Sequence, residues 1–239
     1  MTREIIHKTF PVFKSHIVCS LVLIMMCGLL SELQAQNYNF SLSQSQQTYT
    51  CINNGVTLDN TRNWTIQKKY LPFGFHFNYQ GGTYDSLLLQ PNGQISFDGT
   101  TKTCISIMNG LKYKQDSLGK STAFRYKTVG NIGQRIFMME MAGAGLNMSQ
   151  SEYINAQLWL YEQNGGVEFH FGPNSYSAQS DSTGMVVVGP INWQMNGTKN
   201  GYLLNGAPGS VVGVPIVSGL QFITSVPPSN SVYTLIPNQ

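Results

Sequence analysis

The stretch LPFGFHFNYQGGTYDSLLLQPNGQISFDG, residues 71–99, decides the fold. Phe73, Phe75, Phe77 and Tyr79 recur at every second position, with Gly74, His76 and Asn78 between them. Successive side chains of a strand point to opposite faces, so this spacing puts four rings on one buried face. Gly81-Gly82 interrupts the run, and Asp85–Gln90 then leads into Asn92-Gly93. Asn-Gly suits a tight hairpin because both central residues take positive φ. Pairing across that turn sets Leu88 opposite Phe97 and Gln90 opposite Ile95, and predicts that Leu88, Ile95 and Phe97 face the core.

A second hairpin reads the same way. Tyr153–Glu162 (YINAQLWLYE) runs through Asn164-Gly165-Gly166 into Val167–Phe171 (VEFHF). With a two-residue turn, odd positions of the first strand pair with even positions of the second. Leu158 and Leu160 then share a face with Val167, Phe169 and Phe171, while Trp159, Tyr161, Glu168 and His170 share the other. A three-residue turn would mix Leu160 with Glu168 and His170, so the pattern selects the even register.

Further strands are expected at residues 122–128, 135–141, 185–188 and 232–235, with 109–120 as a long loop. Pro227-Pro228 reads as a turn before the last strand. No segment carries apolar residues at helical spacing with caps at both ends. Short strands with frequent turns over about 200 residues predict an all-β, antiparallel two-sheet sandwich of jelly-roll-like kind.

Composition sets the class. Charged residues are 10% of the chain, against about 25% in an average soluble domain. Hydrophobic residues at 41% and aromatics at 11% supply a real core and exclude wholesale disorder. The net charge of +3 arises from 14 basic and 11 acidic residues scattered singly, without the concentrated basic face that nucleic-acid binding needs. Polarity carried by Asn, Gln, Ser and Thr suits an extracellular β protein.

The N-terminus reads as an export address. Arg3, Lys8 and Lys14 precede an uncharged apolar run, Ile17–Leu30. A run of about 14 residues fits a secretory signal and falls short of the roughly 20 needed to cross a bilayer. Cleavage is expected after Ala35, giving a signal peptide over 1–35 and one sandwich domain over 36–239, with no membrane span in the mature chain. Val18 and Met26, which precede Cys19 and Cys27, are too large for a lipoprotein signal. The mature chain keeps Cys51 and Cys104, a candidate disulfide in an oxidising compartment. Their bond would close a loop of about 54 residues and contribute roughly 4 kcal/mol in the chain-entropy model. Two separate buried thiols are the alternative. Neither cysteine has ligand-spaced neighbours, so no metal and no cofactor is expected.

Four stretches carry a family resemblance: residues 71–99, FRYKTVGNIGQRIFMMEM (124–141), NAQLWLYEQNGGVEFHFGP (155–173) and PPSNSVYTLIP (227–237). Their order resembles a secreted β-sandwich module of Bacteroidota. Its pattern is a Pro-Phe-aromatic strand, a Tyr-initiated strand into Asn-Gly, a Gly-x-x-x-Arg lead into a strand, and a Gln-x-x-Leu-Tyr-Glu hairpin. The matching residues are Pro72, Phe73, Tyr84, Asn92, Gly93, Phe97, Gly130, Gln134, Arg135, Gln157, Leu160, Tyr161, Glu162 and Gly172. The resemblance implies a surface or secreted protein, often followed by a C-terminal sorting domain for type IX secretion. No such domain is expected after the last strand here, which leaves cell surface and periplasm both open. The resemblance carries no catalytic set.

Enzyme signatures are equally sparse. A glycosidase needs two carboxylates facing each other across a cleft, about 5–5.5 Å or 6.5–9.5 Å apart. Glu140 stands alone between Met139 and Met141, and the register above sends Glu162 and Glu168 to different faces. Gly119-Lys120-Ser121 lacks the glycine of a phosphate loop, where Lys114 stands instead. Asp181–Gly184 reads as an acidic turn, and Trp64 and Trp193 as packing residues. A nucleophile pair of Cys104 with His76 or His170 has no supporting motif.

The outward face of the second hairpin is the candidate ligand site. Trp159 and Tyr161 can stack on sugar rings while Glu168 and His170 hydrogen-bond hydroxyls. The alternative is a strand face covered by a neighbouring loop or carrying ordinary cross-strand pairs. The expected function is a non-catalytic secreted or cell-surface module for binding, adhesion or envelope structure, with a glycan or another envelope protein as partner. A glycan-acting hydrolase is the competing reading.

Overall fold

The computed structural model describes residues 40–59, 69–89, 95–99, 103–107, 123–145, 153–175, 188–193, 199–216 and 223–238. The expected signal peptide, the Asn92-Gly93 turn, the 109–120 loop, Trp64 and Asp181 lie outside them.

The described residues form fourteen strands and no helix. In chain order they are β1 (Phe40–Gln46), β2 (Val56–Asp59), β3 (Lys69–Tyr79), β4 (Gly82–Leu89), β5 (Ile95–Ser96), β6 (Thr103–Ser106) and β7 (Ala123–Val129). After these come β8 (Ile136–Gly145), β9 (Tyr153–Tyr161), β10 (Val167–Asn174), β11 (Gly189–Trp193), β12 (Lys199–Asn205), β13 (Val212–Pro215) and β14 (Ser231–Pro237). Two seven-stranded antiparallel sheets result. One has the order β1-β14-β10-β9-β8-β7-β2, the other β13-β12-β11-β6-β5-β4-β3. Each is seeded by a four-strand meander, β7 to β10 and β3 to β6, so most pairings join neighbours in sequence.

The alternation over 73–79 is realised. Leu71, Phe73, Phe75, Phe77 and Tyr79 are buried, while Pro72, Gly74, His76 and Asn78 are exposed. The turn into β4 is Gln80-Gly81, both at positive φ (47° and 75°), the mirror-image turn that matches strand twist. Across the sandwich the Phe73 ring meets Phe137 edge-on at 5.0 Å between centroids. The Thr128 hydroxyl donates to the Phe73 carbonyl at 2.7 Å. Fully burying such a ring contributes about 1.5–3 kcal/mol, and the shared core of both sheets contains many of them.

The register of β4 on β5 corrects the sequence reading. Leu89 pairs with Ile95 and Leu88 with Ser96. Leu87, Leu89, Ile95 and Phe97 therefore enter the shared core, and Leu88 packs on the opposite side. The register is displaced by one residue from the one an Asn-Gly turn would set, and such a slip moves a strand's side chains to the other face.

Strands β1, β2, β6, β12 and β13 escape sequence reading. They are short, or as polar as FSLSQSQ in β1, so no hydrophobic period announces them. Residues 185–187 of the expected 185–188 strand lie outside the described residues, and β11 starts at Gly189.

The cysteine pairing is also corrected. Neither Cys51 nor Cys104 forms a disulfide; the first is exposed and the second fully buried. Cys104 sits on β6, flanked by Ser96 of β5 and Ile191 of β11. Cys51 lies beyond the outer face of the other sheet, so the sandwich separates the two sulfurs.

Candidate functional site

Strands β1 and β2 occupy opposite edges of one sheet, with five strands between them. At about 4.8 Å per strand the gap is roughly 29 Å. Residues 47–55 join the two, and about ten extended residues reach just over 30 Å. The inner face is taken by the second sheet, so this segment must cross the outer face as a nearly straight strap.

Hydrogen bonds follow its path. The amides of Gln47 and Tyr49 donate to the backbone carbonyl and side-chain oxygen of Asn230, at 2.9 and 3.0 Å. The Tyr49 ring then lies against Gly172 of β10, where a Cβ would stand 2.7 Å from ring carbons. Thr50 accepts from Gln157 Nε2 at 2.8 Å, over β9. The Ile52 amide donates to Glu140 Oε2 of β8 at 3.1 Å, and the Asn53 carbonyl accepts from Lys127 Nζ of β7 at 3.3 Å.

Beneath the strap a polar row crosses the sheet in register: Thr57, Arg125, Glu140, Gln157 and His170, on β2, β7, β8, β9 and β10. Glu140 is wholly buried at its centre. It accepts from the Tyr49 hydroxyl at 2.9 Å, Gln157 Nε2 at 2.9 Å, the Ile52 amide at 3.1 Å and Arg125 Nη1 at 3.2 Å. A buried carboxylate is costly unless paired and hydrogen-bonded, and these four donors meet that need. Burial, and then the neighbouring Glu140 charge, push the Tyr49 hydroxyl far above its ordinary pKa. The same two causes, in that order, raise the Cys51 thiol.

The structure brings Trp159, Tyr161, Glu168 and His170 together on this outer face, as the parity of the hairpin predicts. Glu168 pairs with Trp159 and His170 with Gln157, while the connection itself is a four-residue loop closed by the Tyr161 amide on the Gly166 carbonyl at 3.0 Å. The Trp159 and His170 rings stack at 4.0 Å between centroids and 23° between planes. Trp159 Nε1 donates to Gln157 Oε1 at 2.9 Å. Glu168 is held by the Tyr161 hydroxyl at 2.6 Å, His170 Nε2 at 2.8 Å and the Thr234 hydroxyl at 3.0 Å. Burial opposes its charge, and the bonds from His170, Tyr161 and Thr234 outweigh burial and keep its pKa below the usual range.

His170 is 4% exposed, whereas Trp159 and Tyr161 are half-buried. The face is thus largely covered by a loop, and among the described residues it opens on either side of it. On one side a cavity of about 240 Å³ is walled by residues 47–52, Lys127, Met138, Gln157, Trp159 and His170. On the other, a cleft of about 590 Å³ is lined by Cys51, Asn53, Thr57, Arg125, Tyr153, Asn155 and their neighbours. The strap and Arg125 had no local signal in the sequence, because their roles arise from strand order.

Two residues that carry the family resemblance meet elsewhere. Arg135 grips Glu162 through Nη2 on Oε1 at 2.5 Å and Nε on Oε2 at 2.8 Å. The Arg135 and Gly133 amides add bonds to Oε2 at 3.0 and 2.9 Å. The Arg135 guanidinium is the main cause that draws the Glu162 pKa down to about 2. This clasp fixes the β7–β8 and β9–β10 turns together and is structural.

Among the described residues no group of three His, Cys, Asp or Glu could hold a metal ion, and no helix is long and apolar enough to cross a membrane. No curated protein and no solved structure matches the chain. A family model does: residues 37–237 match NIDO related, an extracellular-type domain, and the chain belongs to this NIDO-related family.

Proposed function

We propose that the protein is a non-catalytic binding or adhesion module of the cell surface, which takes a sugar ring of a glycan against Trp159. The observation that carries this reading is the cavity of about 240 Å³ beside the stacked Trp159–His170 pair. It is small and part apolar, with Lys127 and strap backbone groups as polar partners, the mixture that ligand sites use. The resemblance to secreted modules of Bacteroidota supports a place at the envelope.

The acids support the same reading. Glu140 is walled in by four donors and Glu168 by three, and among the described residues no carboxylate lines either opening. A glycosidase needs two carboxylates there.

The test is a glycan array with the full chain and with Trp159→Ala, alongside reducing-end release from the bound glycans by the wild type and Glu168→Gln. Expected are array signals that Trp159→Ala abolishes, with no release by either protein. Release that Glu168→Gln removes would establish the hydrolase instead, and a blank array would remove the glycan.

A further inference from the structure

We propose that the larger cleft, on the Arg125 side of the strap, is a separate site for a carboxylated sugar, a uronate free or within a polysaccharide. Its volume of about 590 Å³ lies in the range of small-ligand sites. Among the described residues that line it, Arg125 is the one side chain with a formal charge. The carboxylate that balances Arg125 is Glu140, which is fully buried and does not line the cleft. A ligand therefore meets the cation and not its counter-ion. Only Arg125 Nη1 is engaged, on Glu140 Oε2 at 3.2 Å, and the remaining guanidinium donors have no partner among the described residues. A planar guanidinium fixed at one corner is suited to a two-point grip on a carboxylate.

The walls suit the rest of a sugar. Asn53 and Thr57 offer amide and hydroxyl groups at exposed positions on the strap side. On the opposite wall Asn155 is locked, accepting from the Gly143 amide at 2.8 Å and donating to the Pro173 carbonyl at 2.6 Å. That wall exists because β8 bulges between Met141 and Ala144, with Gly143 at φ +66°, and β10 shifts register between Phe171 and Asn174. Bulges of this kind recur beside binding sites, where they open a sheet face. Tyr153 adds aromatic surface.

Cys51 supplies a reporter, since its exposed thiol lines the cleft; it also walls the smaller cavity, so its protection is scored in the Trp159→Ala variant as well. The experiment titrates the full chain with glucuronate, galacturonate and their oligomers, with glucose and galactose as neutral counterparts. Binding is read by calorimetry, and alkylation of the Cys51 peptide by mass spectrometry. Expected are binding of uronates over neutral sugars, slower Cys51 alkylation when they are bound, and no effect of Trp159→Ala. Arg125→Lys keeps the charge beside Glu140 but removes the planar fork, and weakens binding about ten-fold or more. Asn53→Trp, at an exposed position away from Glu140, fills the cleft and abolishes binding with the thermal midpoint unchanged.

Equal binding of neutral sugars, or full binding by Arg125→Lys, would overturn the assignment of a carboxylate. Uronate binding that survives Asn53→Trp and leaves Cys51 reactive would overturn the location, and loss in Trp159→Ala would move it to the smaller cavity. No uronate binding would overturn the proposal while leaving the array result for the Trp159 site standing.

Discussion

The Tyr49 hydroxyl donates to Oε1 of Glu140 across 2.9 Å, although 91 positions separate the two residues in the chain. The bond closes the strap onto the sheet and supplies one of four donors to a carboxylate that water does not reach. Tyr49→Phe removes the donor and keeps the ring. A hydrogen bond to a charged group contributes about 1.5–3 kcal/mol, and the variant is expected to lose that much in urea unfolding. An unchanged midpoint would show the bond to be incidental.

Glu140→Gln goes further, because it removes the charge that faces half-buried Arg125. Breaking a buried pair from one side costs about 3–5 kcal/mol, and the 29% exposure of the Arg125 side chain favours the lower end. The same unfolding measurement should therefore rank Glu140→Gln below Tyr49→Phe in stability. A reversed order would mean that the strap, and not the ion pair, carries the stabilisation.

Gly172 is the seat of the Tyr49 ring, and Gly172→Ala places a methyl group 2.7 Å from ring carbons. An aromatic ring held at its far end gives way poorly, so overpacking of about 1–3 kcal/mol is expected. In a Tyr49→Ala background the clash has no partner, and the cost should nearly vanish. A double-mutant cycle with no coupling would refute this account.

The clasp of Arg135 on Glu162 predicts an acid limb. Glu162 has a folded pKa of about 2, below its ordinary value of 4.5, so its charged form is favoured by folding. That contribution is complete above pH 4.5 and disappears as the pH falls toward 2. Thermal midpoints between those limits should fall less steeply for Glu162→Gln than for the wild type. Parallel slopes would place the acid sensitivity elsewhere, Glu168 being the next carboxylate with a lowered pKa.

The two thiols give a test of the sandwich itself. Cys51 should alkylate in the native protein, slowly at neutral pH because its pKa is raised, whereas Cys104 should react only on unfolding. Peptide mass spectrometry after a native pulse separates the two. Loss of both thiols without alkylation would restore the disulfide that the sequence suggested.

How much of this was legible differs from element to element. The alternation of Phe73, Phe75, Phe77 and Tyr79 is local, and the pleat alone assigns each ring to a face. The same logic placed Trp159, Tyr161, Glu168 and His170 together, since any even register preserves their parity. It failed at Leu88, where the register with β5 is displaced by one residue and parity inverts. It also failed for Cys51 and Cys104, because an even count of cysteines says nothing about the layer of residues between them.

The amino-acid order by itself determined which side chains alternate, and so an all-β body with an aromatic core and one polar, ring-bearing face. Only the tertiary structure decided that β1 and β2 stand at opposite edges of one sheet. That placement stretches residues 47–55 across the polar face, buries Glu140 and exposes Arg125 in a cleft. Side-chain parity follows from bonds between neighbours, whereas strand order follows from pairings between distant segments, whose energies no short window of sequence contains.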